Sequence, residues 1–113
     1  MEIRKLSEAR RHDNTAACTA YEYGMPTGEI DSAVVELSGR YPDEGWVFNT
    51  ACTALVHVIK GEGRVLTPGG ERELGEDDQV LIKPDERYAF EGDLKLLFSA
   101  TPAWSPDQAR HEK

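Results

Sequence analysis

Short apolar and β-branched runs separated by turn residues recur along the whole chain, at a spacing that suits strands rather than helices. Residues 33–37 (AVVEL) form one such run and end at Ser38-Gly39. The loop Tyr41-Pro42-Asp43-Glu44-Gly45 follows, then a long candidate strand over 46–59, closed by Lys60-Gly61-Glu62-Gly63. Segments 64–67 and 71–74 flank Pro68-Gly69-Gly70, a compact hairpin turn in which glycine supplies φ > 0. Gly75-Glu76-Asp77-Asp78 precedes a strand over 79–83. Pro84-Asp85-Glu86 turns the chain again, and 88–90 and 94–99 supply the last strands. Helical signals are confined to 6–11 and to Ser105-Pro106-Asp107, which has the form of an N-cap with Pro at N1. Strands at this spacing without helices between them predict an all-β sandwich or barrel, not βαβ units.

At 113 residues the chain is the size of one domain, expected to span 1–113. Its core is expected over about 20–103, with the N-terminal segment and C-terminal tail packing outside. Hydrophobic residues at 39% and charged residues at 30% give a globular balance. Thirteen Lys and Arg stand against 21 Asp and Glu, a net charge of −8, which disfavours phosphate backbones and anionic lipid. No nucleic-acid or membrane partner is expected. The longest apolar run, 54–59, is far shorter than a membrane span and contains a histidine. The N-terminus has basic residues but no apolar stretch of a secretory signal, so a cytoplasmic location is expected. Cys18 and Cys52 lie 34 residues apart in no CxxC pattern and read as reduced thiols.

Two stretches, VHVIKGEGRV at 56–65 and LGEDDQVLIKPDERYAF at 74–90, together resemble the two signature segments of the cupin family. The likeness covers roughly 33–103. It extends to short cupins with a GRYP…GW–N–C–L run and a CTPAW-like tail, here GRYPDEGWVFNTACTAL and ATPAWSP. That subgroup carries no assigned activity. The resemblance implies a single-domain jelly-roll β-barrel, commonly dimeric, with metal ligands in the mouth. With the last glycine of the first motif on Gly61, the glutamate position falls at Ala54. The histidine pair falls at Phe48 and Thr50, or at Val47 and Asn49 if the spacing is one longer. In the second motif Gly75 and Pro84 match, and Tyr88 takes the place of the histidine. A transition metal needs three or four converging N, S or carboxylate donors. These positions do not supply them, so no metal and no cofactor is expected.

Alternation of side chains along a strand sets residues of one parity on one face. With Ala54 inward, Thr50, Cys52, Val56 and Val58 are inward too, and His57 faces out. His12 and His111 lie near the termini, which leaves the interior without an obvious general base. Cys52 reads first as packing, because no cation is placed beside it to favour the thiolate. Tyr88 either plugs the emptied site by bonding Asn49 or Thr50, or orients a ligand, or acts as an acid, as tyrosine does in some metal-free sugar-modifying cupins. No catalytic residue is assigned beyond the candidate Tyr88.

The leading expectation is a metal-independent binding module for a small polar or sugar-like metabolite. Asn49, Thr50, Cys52 and Tyr88 would be its polar lining, and Trp46, Phe48 and Phe90 its walls. The alternatives are a metal-free isomerase, epimerase or lyase using Tyr88 as acid, and a plugged structural or regulatory dimer. A homodimer is expected, with Leu55, His57 and Ile59 on the outer face.

Overall fold

The computed structural model describes all residues 1–113. Nine strands form: β1 (Arg10–Thr15), β2 (Cys18–Glu22), β3 (Asp31–Tyr41), β4 (Trp46–Asn49), β5 (Thr53–Thr67), β6 (Gly70–Leu74), β7 (Gln79–Ile82), β8 (Ala89–Thr101) and β9 (Ala109–Glu112). Seven of them make one antiparallel sheet in the order β1-β2-β3-β8-β5-β6, with β7 also paired to β5. Strands β4 and β9 make a separate two-stranded sheet. The fold is all-β, and its ladders stay in these two sheets without closing into one continuous barrel. No helix is long and apolar enough to cross a membrane.

The core is written in the strand register. Across β3, β8 and β5 the rows Val35–Leu96–Val58 and Ala33–Phe98–Val56 face inward. Cys18, Leu37 and Leu94 form the next row. Val56, Val58 and Leu96 are fully buried, each worth roughly 1.5–3 kcal/mol of apolar transfer. The opposite parity faces out, with Leu55 beside Leu81 and His57 beside Gln79 and Leu97.

A row of three glycines, Gly39–Gly92–Gly63, crosses the same three strands. Gly92 has φ 132° and Gly39 φ 124°, in the region that side chains disfavour. A Cβ on Gly92 would stand 2.5 Å from Glu62 O and Gly63 Cα, and one on Gly63 would overlap Glu91 O. Glycine inside a strand marks a sharp bend or a close backbone approach. The expected strand end at Gly61-Glu62-Gly63 and the expected gap between 88–90 and 94–99 are not found. Both are instead interior parts of β5 and β8, because glycine lets the strands bend and continue.

Other boundaries move for equally local reasons. The expected strand over 46–59 is broken at 50–52, where Asn49 Oδ1 accepts from the N–H groups of Ala51 (2.8 Å) and Cys52 (2.6 Å). The helical hints shrink to 3-10 turns at Leu6–Glu8 and Pro106–Gln108. Strand β1 is exposed along nearly its whole length and β9 along all of it, so neither carries an apolar alternation. The sheet thus begins at Arg10, ten residues before the expected start of the core.

Candidate ligand-binding site

The interior is built where β8 enters the sheet. Tyr88 forms an antiparallel bridge with Val47, through paired backbone bonds of 3.0 Å in each direction. Bridged partners share a face, so Val47 and Tyr88 point the same way. Phe90, two residues on, stays on that face, is buried, and packs edge-on against Tyr88 at 5.6 Å. Phe90 is in register with Tyr41 on β3 and with Val65 on β5. Tyr41, Tyr88, Phe90 and Val65 therefore belong to one interior layer, continuous with the core.

Neither the Tyr41 nor the Tyr88 hydroxyl has a hydrogen-bond partner in the protein, and no partnerless polar side-chain atom is sealed from solvent. Both oxygens are therefore reachable by a water-sized group. Desolvation by burial holds the Tyr88 phenol well above its ordinary pKa, reinforced by the charged forms of Tyr41, Cys18 and Cys52. Tyr41 is raised by the same desolvation, then by Cys18 and Asp43. Burial also raises both thiols, against a small opposing hydrogen bond from Asn14 to Cys18 and from Asn49 to Cys52. At neutral pH the interior is thus lined by uncharged proton donors.

The residues expected from sequence separate into three groups. Tyr88 and Phe90 lie on the interior face. Trp46 and Phe48 do not share it: their parity on β4 is opposite to that of Val47, and each carries a cation. The Arg87 guanidinium lies 3.7 Å from the Phe48 ring centroid, and that of Arg40 5.6 Å from Trp46. Asn49 ends β4 and Thr50 and Cys52 sit in the turn after it, and their polar atoms are already engaged. Thr50 is exposed rather than inward, because the turn ends the strand alternation there.

What engages them is Gln108, from the C-terminal tail. Its Oε1 accepts from Asn49 Nδ2 (3.3 Å), the Cys52 thiol (3.1 Å) and the Ser105 N–H (3.1 Å). Its backbone oxygen accepts from the Thr50 N–H at 3.0 Å. The plug imagined for Tyr88, a bond to Asn49 or Thr50, does not form. Tyr41 is the interior polar residue missing from the sequence-based lining, although its register with Phe90 follows from the long β3 and β8.

The positions that correspond to cupin metal ligands hold Val47, Asn49, Ala54 and Tyr88. The bridge to Tyr88 selects Val47 and Asn49 over Phe48 and Thr50, and Ala54 is inward opposite Ala100. A valine, an alanine, an amide occupied by its own turn and a protonated phenol do not fit a divalent metal. Nowhere do three His, Cys, Asp or Glu side chains converge as a site would need. His57 lies on the outer face, 3.1 Å from Asp77 and 3.0 Å from Gln79. His12 and His111 are exposed.

No protein-family model matches the sequence, and no curated relative matches it. Solved structures do match. Pac13 from Streptomyces, described as a unique nucleoside dehydratase, is 18% identical over 100% of this chain and 92% of its own, with a TM-score of 0.89. One His-to-Gln and two Tyr-to-Phe variants of that protein were solved with uridine. The polyketide cyclase RemF from Streptomyces resistomycificus is 15% identical over 100% of this chain and 86% of its own, at 0.76. An RmlC-like cupin from Shewanella frigidimarina is 16% identical over 89% of each chain, at 0.71. The protein has the cupin fold. Cupin-fold neighbours such as these include enzymes acting on small molecules, and one of them holds uridine. At such identities the cupin likeness fixes the scaffold, and the chemistry has to come from this chain's own interior.

Proposed function

We propose that this cupin-fold protein binds a small polar, sugar-like metabolite in the interior layer formed by Tyr41, Val47, Tyr88 and Phe90. The observation that carries the reading is the pair of phenol hydroxyls without a protein partner. Water reaches both oxygens, and a ligand oxygen can take the place of that water as their hydrogen-bond partner. Val47, Phe90 and Val65 supply the apolar wall that a small-molecule site needs around a few convergent polar groups. Asn49, Thr50 and Cys52 belong to the rim of this site, and Trp46 and Phe48 to its outer support.

The test is a thermal-shift screen against nucleosides, free sugars and polyols, since a specific ligand raises the unfolding midpoint by mass action. Tyr88→Phe and Tyr41→Phe are each expected to weaken the best ligand by up to about tenfold, the worth of one hydrogen bond. A ligand whose midpoint shift is identical in the parent and both variants would place the site elsewhere.

The second reading is a metal-free lyase or isomerase with Tyr88 as acid, supported by the likeness to a nucleoside dehydratase. A protonated Tyr88 can give its proton to a departing hydroxyl, which leaves as water. The phenolate left behind takes the proton released from the neighbouring carbon as the double bond forms, which restores Tyr88. The histidines lie elsewhere, so no imidazole stands ready as the complementary base. Mass spectrometry of bound ligands after incubation tests this: loss of one water from the ligand, abolished in Tyr88→Phe, supports it, and unchanged ligand mass rejects it.

We also propose a homodimer across the outer sheet face, where Leu55, Ile59 and Leu81 are well exposed. Leu81→Lys is expected to shift the particle from dimer to monomer in light scattering. A parent that is already monomeric refutes the interface.

A further inference from the structure

We propose that the interior selects uncharged ligands and rejects their phosphorylated forms. This rests on the binding reading above and names the ligand class of that same site. The inward positions, followed along the register, are Cys18, Leu37 and Leu94, then Val35, Leu96 and Val58, then Ala33, Phe98, Val56 and Val80, and finally Tyr41, Phe90 and Val65. Ala20, Ala54, Val47 and Tyr88 share that face. None of these is a lysine, arginine or histidine, and the rows reach such residues only at exposed positions, Arg10 and His12 on β1 and Arg72, beside Val65, on β6.

Arg40 and Arg87, the cations adjoining the two tyrosines in sequence, are committed elsewhere. Arg40 follows the opposite parity to Tyr41 and donates to Pro42 O (2.6 Å) and Gly45 O (3.1 Å). Arg87 follows the opposite parity to Tyr88, pairs with Glu112 at 2.9 Å and donates to Asp85 O at 2.7 Å. The one ionised group acting on the Tyr41 phenol is the carboxylate of Asp43, which has the same sign as a phosphate. Removing a phosphate from water without a countercharge costs several kcal/mol, and the net charge of −8 opposes its approach as well. Phenol donors, by contrast, suit carbonyl, ether and hydroxyl oxygens, which lose little on leaving water if each is bonded.

The experiment measures dissociation constants by calorimetry for matched pairs: uridine and uridine 5′-monophosphate, ribose and ribose 5-phosphate, glucose and glucose 6-phosphate. At least one neutral member is expected to bind, with its phosphate weaker by about 100-fold or more. Asp43→Lys, an exposed substitution that brings a cation toward Tyr41, is expected to narrow that gap by about tenfold. A phosphate that binds as well as its neutral parent overturns the selectivity and leaves the binding reading standing. Silence from every pair, with metabolites of neither class shifting the midpoint, refutes the binding reading and the selectivity with it.

Discussion

Gly92→Ala is expected to unfold the protein, or to lower its stability by about 3 kcal/mol or more. Two independent costs add at this position. The backbone at φ 132° lies in a region that only glycine occupies cheaply. The new methyl would also press on the Glu62 carbonyl and on Gly63 Cα, both 2.5 Å away. Backbone on the facing strand cannot swing aside as a flexible side chain would, so relief means opening the β5–β8 ladder. That ladder runs from Thr53–Thr101 to Leu66–Ala89 and carries the core rows. Gly28 is the matched control, since a Cβ there meets nothing within 4 Å. Urea unfolding of the two variants decides the matter. Similar midpoints for Gly92→Ala and Gly28→Ala would show that the bend tolerates a side chain.

Gln108→Ala is expected to cost about 2–3 kcal/mol and to free the C-terminal tail. One side-chain amide holds three donors from two separate segments, and its own Nε2 donates to Ala103 O at 3.3 Å. Truncation leaves the half-buried Asn49 amide without its acceptor, and reduces the bonds of the buried Cys52 thiol to one, at Pro102 O. Strand β9 pairs with β4 alone, and beyond that ladder it is held only by exposed contacts, Arg87 to Glu112 and His111 to Glu44 O. Hydrogen exchange is expected to accelerate at the β4 and β9 amides while Val56, Val58 and Leu96 stay protected. Uniform acceleration throughout, or none at β9, would contradict a latch.

Much of the scaffold was legible in the sequence because the signals are local. The hairpin at 68–70, the acidic turn before β7 and the parity of Val56, Val58 and His57 each depend on a few adjacent residues. Three strands escaped: RRHDNT and ARHE have one partner each and water on the other side, and CTAYE, between β1 and β3, is short and carries only Cys18 and Ala20 as buried positions. The site was legible only in part, for a different reason. Tyr88 and Phe90 could be placed from the second motif. The facing of Trp46 and Phe48 depends on which residue of β4 bridges Tyr88, a long-range choice that a one-residue shift reverses. The engagement of Asn49, Thr50 and Cys52 by Gln108 spans more than fifty residues and leaves no trace in local pattern.

The three-glycine row has a consequence for how such a molecule can change. Its sharpest geometric demands fall on positions that carry no side chain, where backbone meets backbone. The proposed ligand contacts fall on different positions, such as Val47, Ala54, Tyr41 and Tyr88, whose side chains look into the interior. Shape and reactivity are therefore specified by separate sets of residues. The second set can be rewritten, from metal ligands to phenols or to plain methyl groups, while the first stays as it is.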